Sequence, residues 1–86
     1  MADLSGLSDE ALAIFAFAAY HQLSSGQPVR SVVQRDGAGH KANDKAVEEL
    51  EGRGLIEADG TEIRFTGQGE EALQGLIAMI REGRQA

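Results

Sequence analysis

The chain has 86 residues, with eight Lys and Arg against fourteen Asp and Glu, a formal net charge of −6. That length leaves room for one small domain, expected over residues 8–83 between a loose arm (1–7) and a short tail (84–86). With no cysteine, disulfides, thiolate metal sites and cysteine nucleophiles are excluded, which fits a reducing cytoplasm.

The first expected element is a helix. Ser8 is a good N-cap, and Asp9 and Glu10 occupy the first turn, where the helix dipole favours negative charge. The helix runs to about Leu23, and Gly26 takes the left-handed position beyond its end. Leu12, Phe15, Ala16, Ala19 and Leu23 recur at helical spacing as the core stripe, while Ile14, Phe17 and His21 fall on the opposite side. The apolar run Ala11 to Tyr20 is about half the length a bilayer span needs. The acidic residues before it do not resemble a signal peptide, so a soluble, non-exported protein is expected.

Pro28 opens a second short helix, through about Arg35, that buries Val29, Val32 and Val33. A glycine turn follows over Asp36 to Gly39. A third helix is expected from about Lys41 to Arg53, burying Ala42, Ala46, Val47 and Leu50 and closed by Gly54. Leu55 to Ala58 and Thr61 to Phe65 alternate as strands around Asp59-Gly60, a strong hairpin signal. Thr66 then caps a last helix, Gln68 to Glu82, with Leu73, Leu76, Ile77 and Ile80 on its core side and Ala72 and Met79 flanking them. Two tightly joined amphipathic helices followed by a hairpin make the ground plan of a winged helix-turn-helix, mainly α with a small β-hairpin.

The stretch from Leu50 to Leu73 also resembles winged-helix regulators of the MarR kind. The matching residues are Leu50, Gly54-Leu55-Ile56, Asp59-Gly60 and Phe65-Thr66-Gly67-Gln68-Gly69. The resemblance extends over about residues 27 to 82 and implies a DNA-binding winged helix. It departs from the pattern in its short last helix and in a wing tip without the Arg or Lys that commonly touches DNA.

Charge is unevenly placed. From Pro28 to Arg53 five basic residues (Arg30, Arg35, Lys41, Lys45, Arg53) balance five acidic ones, and the rest of the chain has three basic to nine acidic. DNA affinity rests on cations that neutralise phosphates. The favoured expectation is therefore a DNA-binding transcriptional regulator contacting double-stranded DNA through Arg30, Ser31, Arg35, His40, Lys41, Asn43, Lys45 and Arg64. Asn43 and the lysines would read bases from the start of the third helix. The helix residues among these can equally be ordinary solvated surface, and in the wing, where Glu57, Asp59 and Glu62 would repel a phosphate backbone, at most Arg64 contributes.

The alternative is a winged-helix protein-interaction module, its acidic wing (Glu57, Asp59, Glu62) binding a basic partner or mimicking DNA charge. A homodimer is expected through Ile14, Phe17, His21, Ala72, Leu76 and Met79. No enzyme, cofactor, metal or membrane partner is expected. The GAGHK run lacks the spacing of a phosphate loop, His21 and His40 stand on separate elements, and adjacent acids such as Glu48-Glu49 point to different helix faces.

Overall fold

The computed structural model describes residues 4, 6–33 and 43–85. The element order is α1 (Asp9–Ser25), β1 (Ser31–Val33), α2 (Asp44–Gly52), β2 (Ile56–Ala58), β3 (Glu62–Phe65) and α3 (Gly67–Gln85). Among the described residues the fold is thus mainly helical with a three-stranded antiparallel sheet of order β1-β3-β2.

The valine-rich segment is a strand where a helix was expected. Val29, Val32 and Val33 suit either period, but β-branched side chains are stiff in helices and pack well on a pleated sheet. The edge of β3 decides the outcome. Ser31, Val32 and Val33 lie opposite Arg64, Ile63 and Glu62, and the Phe65 N–H donates to the Arg30 carbonyl at 2.9 Å. Val32 goes inward beside Ile63, while Ser31 and Val33 share the outer face with Glu62, Arg64 and Glu57. The expected glycine turn falls outside the described residues, as do Arg35, His40, Lys41 and Ala42.

α1 has the expected caps: Ser8 Oγ accepts the Ala11 N–H at 3.2 Å, and Gly26 has φ +75°. Its buried face is turned from the expected one. Ala11, Ile14, Phe15, Ala18, Ala19 and Gln22 are buried, whereas Ala16 and Leu23 are exposed. Alanine supplies apolar character all round this helix, so periodicity alone does not single out a face. The aromatic anchor is Phe15, whose ring centroid stands 5.3 Å from that of Phe65. Leu4 and Leu7, expected in the loose arm, pack against this core.

The hairpin turns one residue later than expected. Asp59 and Glu62 close it, the Asp59 N–H donating to the Glu62 carbonyl at 3.2 Å, so Gly60-Thr61 occupy the centre. Gly60 has φ +96°, and Asp59 Oδ1 accepts the N–H groups of Thr61 and Glu62 at 2.9 and 2.8 Å. This is an Asx turn, in which the carboxylate supplies the acceptor.

α3 begins at a tight joint. Thr66 Oγ1 donates to the Gly54 carbonyl at 2.6 Å and accepts the Gly69 N–H at 3.1 Å, while the Thr66 N–H donates to the Leu55 carbonyl at 3.0 Å. Gly69 therefore passes so close to Leu55 that no side chain fits between them. Ala72, Leu73 and Ile77 then enter the core. Beyond Ile77 the helix leaves the body, which exposes Ile80 where core burial was expected.

Candidate functional site

The surface with a candidate binding role is formed by α2 and the β2–β3 hairpin. α2 starts at Asp44, three residues after the expected Lys41, because Asn43 is its N-cap. Asn43 Oδ1 accepts the Ala46 N–H at 3.0 Å. A bidentate contact with adenine needs that oxygen as acceptor together with the amide as donor. Asn43, expected to read a base, here caps α2, with its Oδ1 already accepting one hydrogen bond. Ala46, Val47 and Leu50 face the core, leaving Asp44, Lys45, Glu48, Glu51 and Gly52 exposed.

Two acids of α2, Glu49 and Glu51, make internal hydrogen bonds. Glu49, expected as solvated surface, reaches the start of α1. Its carboxylate accepts the Ser8 N–H at 2.9 Å and the Ser8 Oγ–H at 2.7 Å. Those hydrogen bonds, the side-chain one foremost, hold its pKa below the ordinary carboxylate value. A capping box normally sits within one helix; here the acid comes from a neighbouring helix, 41 residues away in sequence. Glu51 Oε2 accepts the Ala58 N–H at 3.3 Å, tying α2 to the edge of β2.

At the hairpin tip Arg64 Nη1 lies 3.3 Å from Asp59 and 3.9 Å from Glu62. The hydrogen bonds from the Glu62 and Thr61 N–H groups, then the Arg64 contact, hold the Asp59 carboxyl below its ordinary range. Arg64, expected to meet phosphate, is thus committed to two carboxylates. From Asn43 to Phe65 the chain carries Asp44, Glu48, Glu49, Glu51, Glu57, Asp59 and Glu62 against Lys45, Arg53 and Arg64. Of the residues expected to bind DNA, Arg30 and Lys45 are exposed cations, and Ser31 lies on the outer face of β1.

Two shallow depressions flank this surface. One, of about 270 Å³, lies where the α1 and α2 N-termini meet, lined by Ser8, Glu10, Asn43, Lys45, Ala46 and Glu49. Its anion is already present as Glu49. The other, of about 300 Å³, follows the outer edge of β1 beneath the end of α1, lined by His21, Val29, Ser31, Val32, Val33 and Glu62. His21 is braced there by Phe17 and Tyr20, with ring centroids 4.5 and 5.4 Å away.

The expected dimer face divides. Ile14 and Ala72 are 7% and 3% exposed and belong to the domain's own core, which corrects their assignment to a face between subunits. Leu76 and Phe17 are half-buried against that core, and His21 and Met79 are exposed. Tyr20, Leu23 and Ile80 are large exposed side chains that the sequence reading did not include. The reading also missed Gln22 and Gln74, whose amides exchange hydrogen bonds of 3.1 and 2.8 Å between α1 and α3. A polar residue on an apolar helix face was the available signal for Gln22. Among the described residues no group of three or more His, Asp or Glu could hold a metal. No family model, curated protein or solved structure matches the chain.

Proposed function

We propose that the chain is a winged-helix-type protein-interaction module whose α2–hairpin surface binds a basic segment of a partner. The observation that carries this reading is the commitment of Arg64 to Asp59 and Glu62, on a stretch with seven acidic residues and three basic. A phosphate backbone approaching such a face meets repulsion where it needs cations. A lysine- or arginine-rich segment meets complementary charge, which raises association rate and selectivity.

The second reading is DNA binding, favoured by the strand order β1-β3-β2 with α2 leading into the hairpin, the arrangement of a winged helix. Its contacts would then centre on Arg30, Arg35, His40, Lys41 and Lys45, with the wing remote from the duplex. Fold analogy alone does not fix activity, so the charge of the surface is given the greater weight.

One titration separates the readings. The fluorescently labelled protein is mixed with a lysine-rich peptide or with a DNA duplex, each at low and high salt. The expected result is peptide binding that weakens with salt and is lost when Glu57 and Glu62 are changed to Lys. Changing Glu71 and Glu82 to Lys on α3, an equal charge change elsewhere, should leave most of it. Duplex binding with a steep salt dependence and no peptide binding would establish the DNA reading instead.

A further inference from the structure

The hairpin tip joins Asp59 to Gly60, and that dipeptide has a chemistry of its own. A glycine main-chain nitrogen can attack the preceding aspartyl Cγ, because no β-carbon on the glycine obstructs the approach. The attack closes a succinimide ring and expels one water, made from the carboxyl OH and the amide hydrogen. Water then reopens the ring at either carbonyl. One opening restores aspartate; the other leaves isoaspartate, with the main chain routed through Cβ and Cγ. One water leaves and one enters, so the change is an isomerisation with no redox partner. The first step needs the neutral carboxylic acid, so groups that keep the carboxylate ionised slow it.

Asp59, Gly60 and Thr61 are all exposed, and a Cβ on Gly60 would meet nothing within 4 Å. Solvent therefore reaches the turn. The carboxylate is held nonetheless. Its Oδ1 accepts the Thr61 and Glu62 N–H groups at 2.9 and 2.8 Å, and its Oδ2 lies 3.3 Å from Arg64 Nη1. Donors of this kind favour the charged form. The Asp59–Glu62 main-chain bond and the Ala58–Ile63 pair fix the ends of the turn against the rearrangement that ring closure demands. Asp9 and Asp44, the other described aspartates, stand in helical first turns before Glu10 and Lys45. Asp36-Gly37 lies outside the described residues.

We propose that Asp59-Gly60 is a site of isoaspartate formation that the folded hairpin holds in check, with Arg64 as its protecting residue. Isoaspartate adds one carbon to the main chain of the turn and leaves the carboxylate directly on Cα. The contacts to Thr61, Glu62 and Arg64 then cannot all persist, so conversion loosens the tip of the acidic face. The inference goes beyond the interaction reading and does not depend on it.

In the test, the full chain is incubated at neutral pH, in buffer and in concentrated urea. Tandem mass spectrometry reads isoaspartate at residue 59, which tryptic cleavage at Arg53 separates from Asp36. Conversion should be at least about tenfold slower in the folded chain, where hydrogen bonds and turn geometry act together. Arg64→Gln should speed the folded chain about two- to fivefold, the gain in neutral carboxyl when an exposed ion pair is lost. Arg64→Lys keeps the cation and should stay closer to the parent. Circular dichroism checks that both variants remain folded. If Arg64→Gln unfolds, the comparison of folded and urea-treated parent still decides. Equal rates in buffer and urea, absence of isoaspartate from both, or equal rates in the parent and Arg64→Gln would each overturn the proposal. So would an Arg64→Lys protein that converts as fast as Arg64→Gln.

Discussion

Gly69→Ala tests the joint between the hairpin and α3. A Cβ at this position would overlap the Leu55 carbonyl oxygen and stand 3.0 Å from the Leu55 carbonyl carbon and 3.3 Å from Phe65 Cβ. Non-bonded carbons settle at about 3.5–4.0 Å, so the Leu55 carbon must retreat by roughly 0.5–1 Å and its oxygen farther. That retreat is resisted, because the same carbonyl accepts the Thr66 N–H and the neighbouring Gly54 carbonyl accepts Thr66 Oγ1. Overpacking of this kind costs about 1–3 kcal/mol, and a strained backbone hydrogen bond adds about 1. Helix propensity returns up to about 1 kcal/mol. The net loss of about 1–3 kcal/mol corresponds to a fall in Tm of roughly 4–24 °C for a domain of this size. Thermal unfolding followed by far-UV circular dichroism measures it. Gly75→Ala is the matched control, since a Cβ there meets nothing within 4 Å. It should stabilise the protein by about 0.5–1 kcal/mol. A Gly69→Ala protein that melts no lower than the parent, or shifts in the same direction as Gly75→Ala, would refute the close approach.

The Glu49 clasp has a pH signature. Its folded pKa lies below the ordinary 4.5, as that of Asp59 lies below 3.8, so both contribute stability that is full above those values and is lost as pH falls below them. Glu49→Gln should be less stable than the parent at neutral pH and flatter between neutral and acid conditions; parallel acid-unfolding curves would sink the clasp. Asn43→Ala should destabilise by about 1 kcal/mol through loss of the α2 cap, read by denaturant unfolding, and should leave peptide affinity unchanged. A double-mutant cycle on Gln22→Ala and Gln74→Ala should return a coupling of about 0.5–3 kcal/mol; strict additivity would show that the amide pair does not join α1 to α3. Met79→Glu should convert any dimer seen by sedimentation to monomer, because Met79 is 66% exposed and the change leaves the domain core intact; an unchanged sedimentation coefficient in a dimeric parent would place the interface elsewhere.

Local chemistry was enough to place the elements whose ends are written in capping and turn residues. Ser8, Gly26, Asp59-Gly60 and Thr66 mark α1, the hairpin and α3 to within a few residues, because each satisfies main-chain groups of its own neighbourhood. The sequence by itself also determined the charge asymmetry and the alternation of β3. The identity of the valine segment had to come from tertiary structure: the spacing of Val29, Val32 and Val33 fits a helix as well as a strand, and pairing with β3 settles it. The same holds for the buried face of the alanine-rich α1, which packing against α2, α3 and the Phe65 ring selects. It holds also for the polar side chains of the candidate site. Asn43, Glu49 and Arg64 look alike in sequence as charged or amide surface, but two close helix caps and one neutralises a turn. Their partners lie from 2 to 41 residues away, and the distant ones leave no periodic trace. Only the folded chain distinguishes side chains still available to a ligand from those already engaged.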